Sequence, residues 1–222
     1  MKNKKLYFGN TNLGFMQGRL VNSPYGKIQC FPAKEWKSEF KLATKINLNL
    51  IEWTVNFANL GYNPVLYKNK LKNIIIQKKK NKIDIKSLTC DYFMEKPFFK
   101  SKKNKNLIIN NLKKLIKNSE ILNIKYFIIP LVDNASIKNK KHEDMIVNLF
   151  DKLLKFSFKK INILFESDYT PKNLDRFIRR FKSKRIGINY DCGNSASLGY
   201  NFDDEKIYFK YIKNVHIKDR VY

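Results

Sequence analysis

Apolar positions along this chain fall into two alternating patterns. Short, nearly unbroken apolar runs occur at Leu13 to Gln17, Leu50 to Trp53, Ile85 to Cys90, Tyr126 to Leu131, Ile161 to Glu166, Arg185 to Asp191 and Asn214 to Lys218. Runs this short and this continuous fit parallel strands covered on both faces. Between them apolar residues recur at helical spacing: Trp36, Phe40, Ala43 and Ile46, then Ile108, Leu112, Leu115, Ser119 and Leu122, then Met145, Leu149, Leu153 and Phe156. Such stripes predict amphipathic helices packed on the strands. Thr170 followed by Pro171 reads as an N-cap and first helical position, opening a helix that buries Leu174, Phe177, Ile178 and Phe181.

Strands alternating with helices define an α/β fold, and seven such units without a break in composition favour a (β/α)8 TIM barrel over an open sheet. A complete barrel has eight units and about 250 residues, whereas this chain has 222. The expectation is one domain over residues 1–222 with seven of the eight strands, lacking the last βα unit. Strands one and seven should then keep unpaired edges.

Composition narrows the class. No Gly/Ser-rich or Pro-rich stretch marks a linker, and the apolar runs are far shorter than the roughly 20 residues that span a bilayer. MKNKK at the start has the charge of a signal-peptide n-region, but LYFGNTNLGF after it is broken by Gly and Asn. A cytoplasmic protein with no membrane partner is expected. Cys30, Cys90 and Cys192 are odd in number and form no CxxC pair, so they read as reduced thiols. Cys192 reads as a small buried residue at a strand end.

The net charge of +26 invites a nucleic-acid reading. Only six of the 45 basic residues are Arg, the side chain that makes bidentate contacts. The Lys clusters around Lys78 to Lys80, Lys102 to Lys105 and Lys138 to Lys141 sit at predicted helix ends and loops. With an accompanying excess of Asn and Ile, they match the codon bias of a low-GC genome. No specific nucleic-acid partner is expected.

Three of the strand runs end on a residue able to bind metal. ILFE ends on Glu166, IGINYD on Asp191 and NVH on His216. One such residue alone reads as a turn aspartate or a hydrogen-bonded core histidine. Two carboxylates and an imidazole at three successive strand ends are the donor types a hard or borderline divalent cation takes. Neighbouring strands should bring their ligand atoms within about 5 Å of one another, because first-row coordination distances are near 2 Å.

At these residues the chain resembles the xylose isomerase-like TIM-barrel family of sugar phosphate isomerases and epimerases, which also includes endonuclease IV. The resemblance is carried by GFMQGRL (Gly14 to Leu20), IQCFP (Ile28 to Pro32), IEW (Ile51 to Trp53), DYFMEKP (Asp91 to Pro97), IPLVDNASI (Ile129 to Ile137), FESD (Phe165 to Asp168), NYDCGNSASLGY (Asn189 to Tyr200) and VHIKDR (Val215 to Arg220). It implies that Glu166, Asp191 and His216 hold one divalent metal, Mn²⁺ first, with Mg²⁺, Co²⁺ or Zn²⁺ as alternatives. The family's fourth ligand, a Glu at the end of the eighth strand, has no counterpart in this sequence. Asn194 stands where several relatives carry a substrate-touching His, and an amide cannot shuttle a proton at neutral pH.

The resemblance also implies proton abstraction next to a carbonyl and a metal-stabilised enediolate, with Glu166 as one base and a small sugar or sugar phosphate as substrate. At the barrel mouth Gln17, Arg19, Glu52, Trp53, Asp91, Asp133, Asn134, Asn194 and Lys218 are the candidate substrate contacts. Arg19 and Lys218 would take a phosphate or carboxylate, Trp53 a sugar face, and Glu52 or Asp133 hydroxyls. Two rivals stand beside this reading. A non-catalytic sugar- or partner-binding barrel would have lost the metal. An abasic-site endonuclease needs several histidines for three zinc ions, and the chain has only His142, read as plain surface, and His216. The chain alone is expected to be catalytically silent and to self-associate, with a homo-oligomer left open.

Overall fold

The structure is a computed structural model that describes residues 13–22, 29–156 and 158–218. Seven parallel strands form one sheet in sequence order: β1 (Phe15–Met16), β2 (Leu50–Thr54), β3 (Asp84–Thr89), β4 (Tyr126–Leu131), β5 (Asn162–Ser167), β6 (Ile186–Asp191) and β7 (Ile212–His216). Helices α1 (Trp36–Lys45), α2 (Leu71–Asn81), α3 (Asp91–Glu95), α4 (Lys105–Ile121), α5 (Lys140–Phe156), α6 (Pro171–Arg179), α7 (Cys192–Ser197) and α8 (Phe202–Glu205) lie between them. The sheet curls into a half-barrel. Among the described residues β1 and β7 do not pair with each other.

The strands split their side chains by period two. One set packs outward on the helices: Ile51 and Trp53 of β2, Phe127 and Ile129 of β4, and Ile163 and Phe165 of β5 are fully buried. Phe165 lies in a chain of ring contacts with Phe150 of α5 and Phe177 of α6. The other set faces the lumen and is polar: Glu52, Ser87, Thr89, Glu166, Asn189, Asn214 and His216 hydrogen-bond to one another across it.

Observed strand boundaries lie within two residues of those read from the sequence, and β1 is the most shortened. Leu13 to Gln17 shrinks to Phe15–Met16, with one further bond from Gln17 N–H to the Glu52 carbonyl at 2.9 Å. α5 is rotated from its expected stripe, because Ile146, Phe150, Leu153 and Leu154 are buried while Met145 and Leu149 are only half-buried. The Phe156 side chain and Arg220 lie outside the described residues. α6 begins at Pro171 as expected, although Thr170 makes no side-chain capping bond.

Gly187 shows how the sheet is fitted. A Cβ there would meet the Tyr211 carbonyl oxygen at 2.8 Å and Lys213 Cδ at 2.9 Å. The register between β6 and β7 slips at Ile188/Asn189, and the stem of Lys213 crosses Gly187 at this irregularity. No described helix is long and apolar enough to cross a membrane.

Candidate active site

Parallel strands deliver their last residues to one end of the sheet, and pairing fixes their height there. Asp191 of β6 is in register with His216 of β7, while Glu166 of β5 is in register with Pro130 of β4. One ligand atom from each of Glu166, Asp191 and His216 lies within 4.8 Å of the others. His216 Nδ1 is 3.4 Å from Glu166 Oε2 and 3.8 Å from Asp191 Oδ2. The sequence-based expectation of convergence is met at this level of geometry.

Around them the polar lumen fixes each side chain. Glu166 accepts hydrogen bonds from Asn189 Nδ2 at 2.9 Å and Asn194 Nδ2 at 2.6 Å. Asp191 caps α7 by accepting the Asn194 N–H at 2.8 Å on Oδ1. Its Oδ2 is buried and receives no well-aligned hydrogen bond, although Lys218 Nζ lies 2.5 Å away. Glu52 accepts from Ser87 Oγ and Thr89 Oγ1, both at 2.6 Å, and lies 2.8 Å from His216 Nε2.

Packing these charged side chains together moves their proton affinities. Burial alone would lower His216, but the Glu52 charge and the contacts with Asp191, Glu166 and Glu52 outweigh it, pushing the imidazole up to about 12. Burial would raise Asp191, yet the adjoining His216 and Lys218 cations and the hydrogen bond from the Asn194 N–H hold it down at about 2. Glu52 is likewise lowered against its own burial by His216, Ser87 and Thr89. Asp91 goes the other way, to about 8, because burial dominates and the charges of Glu166, Glu95 and Glu52 add to it, against one bond from Gln29.

A cavity of about 340 Å³ opens on this cluster, lined by Glu166, His216, Asp91, Asp133, Asn194 and Lys218 among others. The other candidates are placed differently. Trp53 is fully buried on the helix side, packed against Phe31 and Trp36 and donating to Asn63 Oδ1 at 3.0 Å, so it cannot pack on a sugar. The reason is alternation: its neighbour Glu52 takes the lumen. Gln17 is also enclosed, accepting the Thr54 N–H on Oε1. Asn134 turns its amide to the Glu95 carbonyl at 3.1 Å. Arg19 lines a separate cleft of about 680 Å³ between β1 and β7, which Glu52, His216 and Lys218 also border. His142 is half-buried against Phe99, with ring centroids 4.9 Å apart, rather than plain surface.

Sequence reasoning missed Asn189 and Asn214. Each stands two residues before a candidate ligand on the same strand and so shares its lumen face. Met94 and Glu95, which line the cavity, carry no comparable signal.

An α/β half-barrel with two carboxylates and an imidazole gathered at its strand ends is the class defined by fold and site together. The chain belongs to the xylose isomerase-like TIM barrel family, whose sequence pattern matches residues 40–222. No curated protein matches it by sequence. Among solved structures, a xylose isomerase domain protein from Planctomyces limnophilus superposes with a TM-score of 0.68 at 11% identity, over 94% of this chain and 72% of that one. D-psicose 3-epimerase, crystallised with D-fructose, gives 0.70 at 12% identity over 91% and 72% of the two chains. A xylose isomerase-like TIM barrel protein from Mycobacterium smegmatis, in complex with magnesium, gives 0.67 at 13% identity over 93% and 74%. At such identities the likeness is one of fold.

Proposed function

We propose that this protein is a metal-dependent isomerase or epimerase of a small sugar or sugar phosphate. The observation that carries the reading is the convergence of Glu166, Asp191 and His216, one ligand atom of each lying within 4.8 Å of the others. The donor set fits a cation on its own terms. Asp191 Oδ2 is buried without a well-aligned hydrogen bond, and among the described residues the groups that face it are the cations Lys218 and His216, so the oxygen stands where positive charge is favoured. Two carboxylates and one imidazole suit Mn²⁺, Mg²⁺ or Co²⁺. A bound divalent cation supplies Lewis-acid stabilisation of the negative charge that develops on substrate oxygens.

The chain's own groups do the rest. Glu166 carries the proton transfer at the carbon next to the carbonyl, and its carboxylate is aimed by the amides of Asn189 and Asn194. Asn194 also donates to substrate hydroxyls without moving a proton. Asp91, held largely protonated at neutral pH, donates a hydrogen bond to a substrate oxygen from the β3 side. Lys218, beside Asp191 and on the cavity wall, is the group that would take an anionic substrate group. Several neighbours of like fold act on or bind free ketoses, among them D-psicose 3-epimerase with D-tagatose from Clostridium cellulolyticum, which supports the substrate class.

The test is deuterium exchange into a panel of sugars and sugar phosphates by protein loaded with Mn²⁺. Exchange next to the carbonyl that disappears in Glu166→Gln supports the proposal, and unchanged exchange in that variant removes Glu166 as base. A second reading, a barrel that binds sugar without metal, has one observation behind it: the Lys218 ammonium sits 2.5 Å from Asp191 and balances its charge. Sugar binding that is indifferent to added metal would favour it.

A further inference from the structure

Because all seven strands run parallel, their first residues gather at the end of the half-barrel opposite the acidic cavity. Every strand from β3 to β7 begins within two residues of a lysine: Lys82, Lys125, Lys160, Lys184 and Lys213. Backbone and side-chain bonds join several of these strand starts to their neighbours. Lys125 N–H donates to the Lys86 carbonyl at 2.8 Å, Asn162 N–H to the Lys125 carbonyl at 2.9 Å, and Lys213 Nζ to the Lys184 carbonyl at 2.7 Å. With strands about 4.8 Å apart, five of them spread these charges over about 20 Å.

Little on this end neutralises them. Asp84 is taken by Lys78 at 2.9 Å and Lys86 at 2.5 Å, and Glu120 accepts the backbone N–H groups of Lys159, Lys160 and Ile161. No carboxylate pairs with Lys82, Lys125, Lys160 or Lys184 among the described residues. The crowding bears on Lys213, whose ammonium is lowered first by burial and then by the charge of Lys125.

Aromatic rings are set among these lysines. Tyr126 opens β4 with the Lys125 ammonium 5.0 Å from its ring centre, and Tyr211 precedes β7 with Lys210 at 5.2 Å. Both rings are half-buried. The linear sequence hides this interleaving, because Lys125, Lys160 and Lys184 are far apart until the sheet aligns the strand starts.

We propose that this end of the half-barrel binds single-stranded polynucleotide without sequence preference, its lysine arc meeting successive phosphates while Tyr126 and Tyr211 offer stacking faces to bases. A bilayer would use the charge, but half-buried rings do not project far enough to enter its apolar layer. A flat, mobile base reaches them. The acidic cavity at the far end repels the same ligand and so directs it to this surface.

The experiment is fluorescence anisotropy of the full chain with a labelled oligouridylate of about 12 nucleotides, a length inside the usual site size. Four to five phosphate contacts should weaken binding roughly 50- to 130-fold between 50 and 200 mM salt. The triple variant K125E/K160E/K184E should lose at least about tenfold in affinity, and Tyr126→Leu several-fold, with circular dichroism melting reporting that each remains folded. The proposal is overturned by absent or salt-independent binding, or by equal affinity in the triple variant. Lysine-dependent binding to phosphatidylserine vesicles but not to the oligonucleotide would overturn it in favour of a membrane surface.

Discussion

His216 and Glu39 are the two side chains whose surroundings say most about behaviour in solution. His216 has an ordinary value of 6.5 and is raised to about 12 in the cation-free fold. A raised base contributes stability that is fully present below its unfolded value and fades as pH climbs toward the folded one. The melting temperature of cation-free protein should therefore exceed that of His216→Gln most near pH 6 and converge with it in alkali, where about 12 is the upper limit. Proton and cation compete for the same ring. Cation affinity measured by calorimetry should rise about tenfold per pH unit through neutral pH.

Glu39 shows the same sign from a different cause, burial of a carboxyl rather than ion pairing of a base. It is fully buried under the turn after β1, accepting the N–H of Gly18 at 2.7 Å and of Leu20 at 3.3 Å, while its Oε2 has no partner. Burial outweighs those bonds and lifts it from 4.5 to about 7. The folded state thus holds a proton that the unfolded state releases, and stability should fall as pH rises through that interval. Glu39→Gln keeps an acceptor for the turn and removes the titration, so its melting temperature should stay level where that of the original protein declines. Trp53, misread from the sequence as a sugar platform, makes a plainer test: Trp53→Ala should cost about 3–5 kcal/mol of stability in urea unfolding.

At the level of elements, the sequence carried the strands better than the helix faces. β4 was legible to the residue because YFIIPL is apolar throughout and lies between Lys125 and the Val132 loop. β1 was overread, since Leu13 and Gly14 precede the pairing and Gln17 already enters the turn whose Gly18 N–H Glu39 accepts. In α5 the expected stripe was displaced by one position, because Ile146 and Phe150 compete with Met145 and Leu149 and only the packing against Phe165 settles the rotation. The three candidate ligands were legible because each closes an apolar run. Asn189 and Asn214 were not, because a polar residue inside a strand announces a lumen only once the curl of the sheet is known. Gly187 belongs to this scale too. Gly187→Val should push Lys213 and the Tyr211 carbonyl aside and cost about 1–3 kcal/mol of stability in urea unfolding.

Across the whole molecule, the contact of His216 Nε2 with Glu52 Oε1 at 2.8 Å joins β7 to β2, strands separated by four others in the sheet. Asn214 adds a longer contact to the same carboxylate at 3.4 Å. A sheet whose outer strands are unjoined at their backbones is free to flatten like an unrolled sleeve, and these side chains act as its clasp. The curvature of the protein and the chemistry at its mouth are then set by the same few atoms. Unfastening the clasp with Glu52→Ala should loosen the roll, visible as a larger radius of gyration in small-angle scattering, and a cation that draws the imidazole toward Asp191 would act as a gauge on how tightly the sleeve is wound.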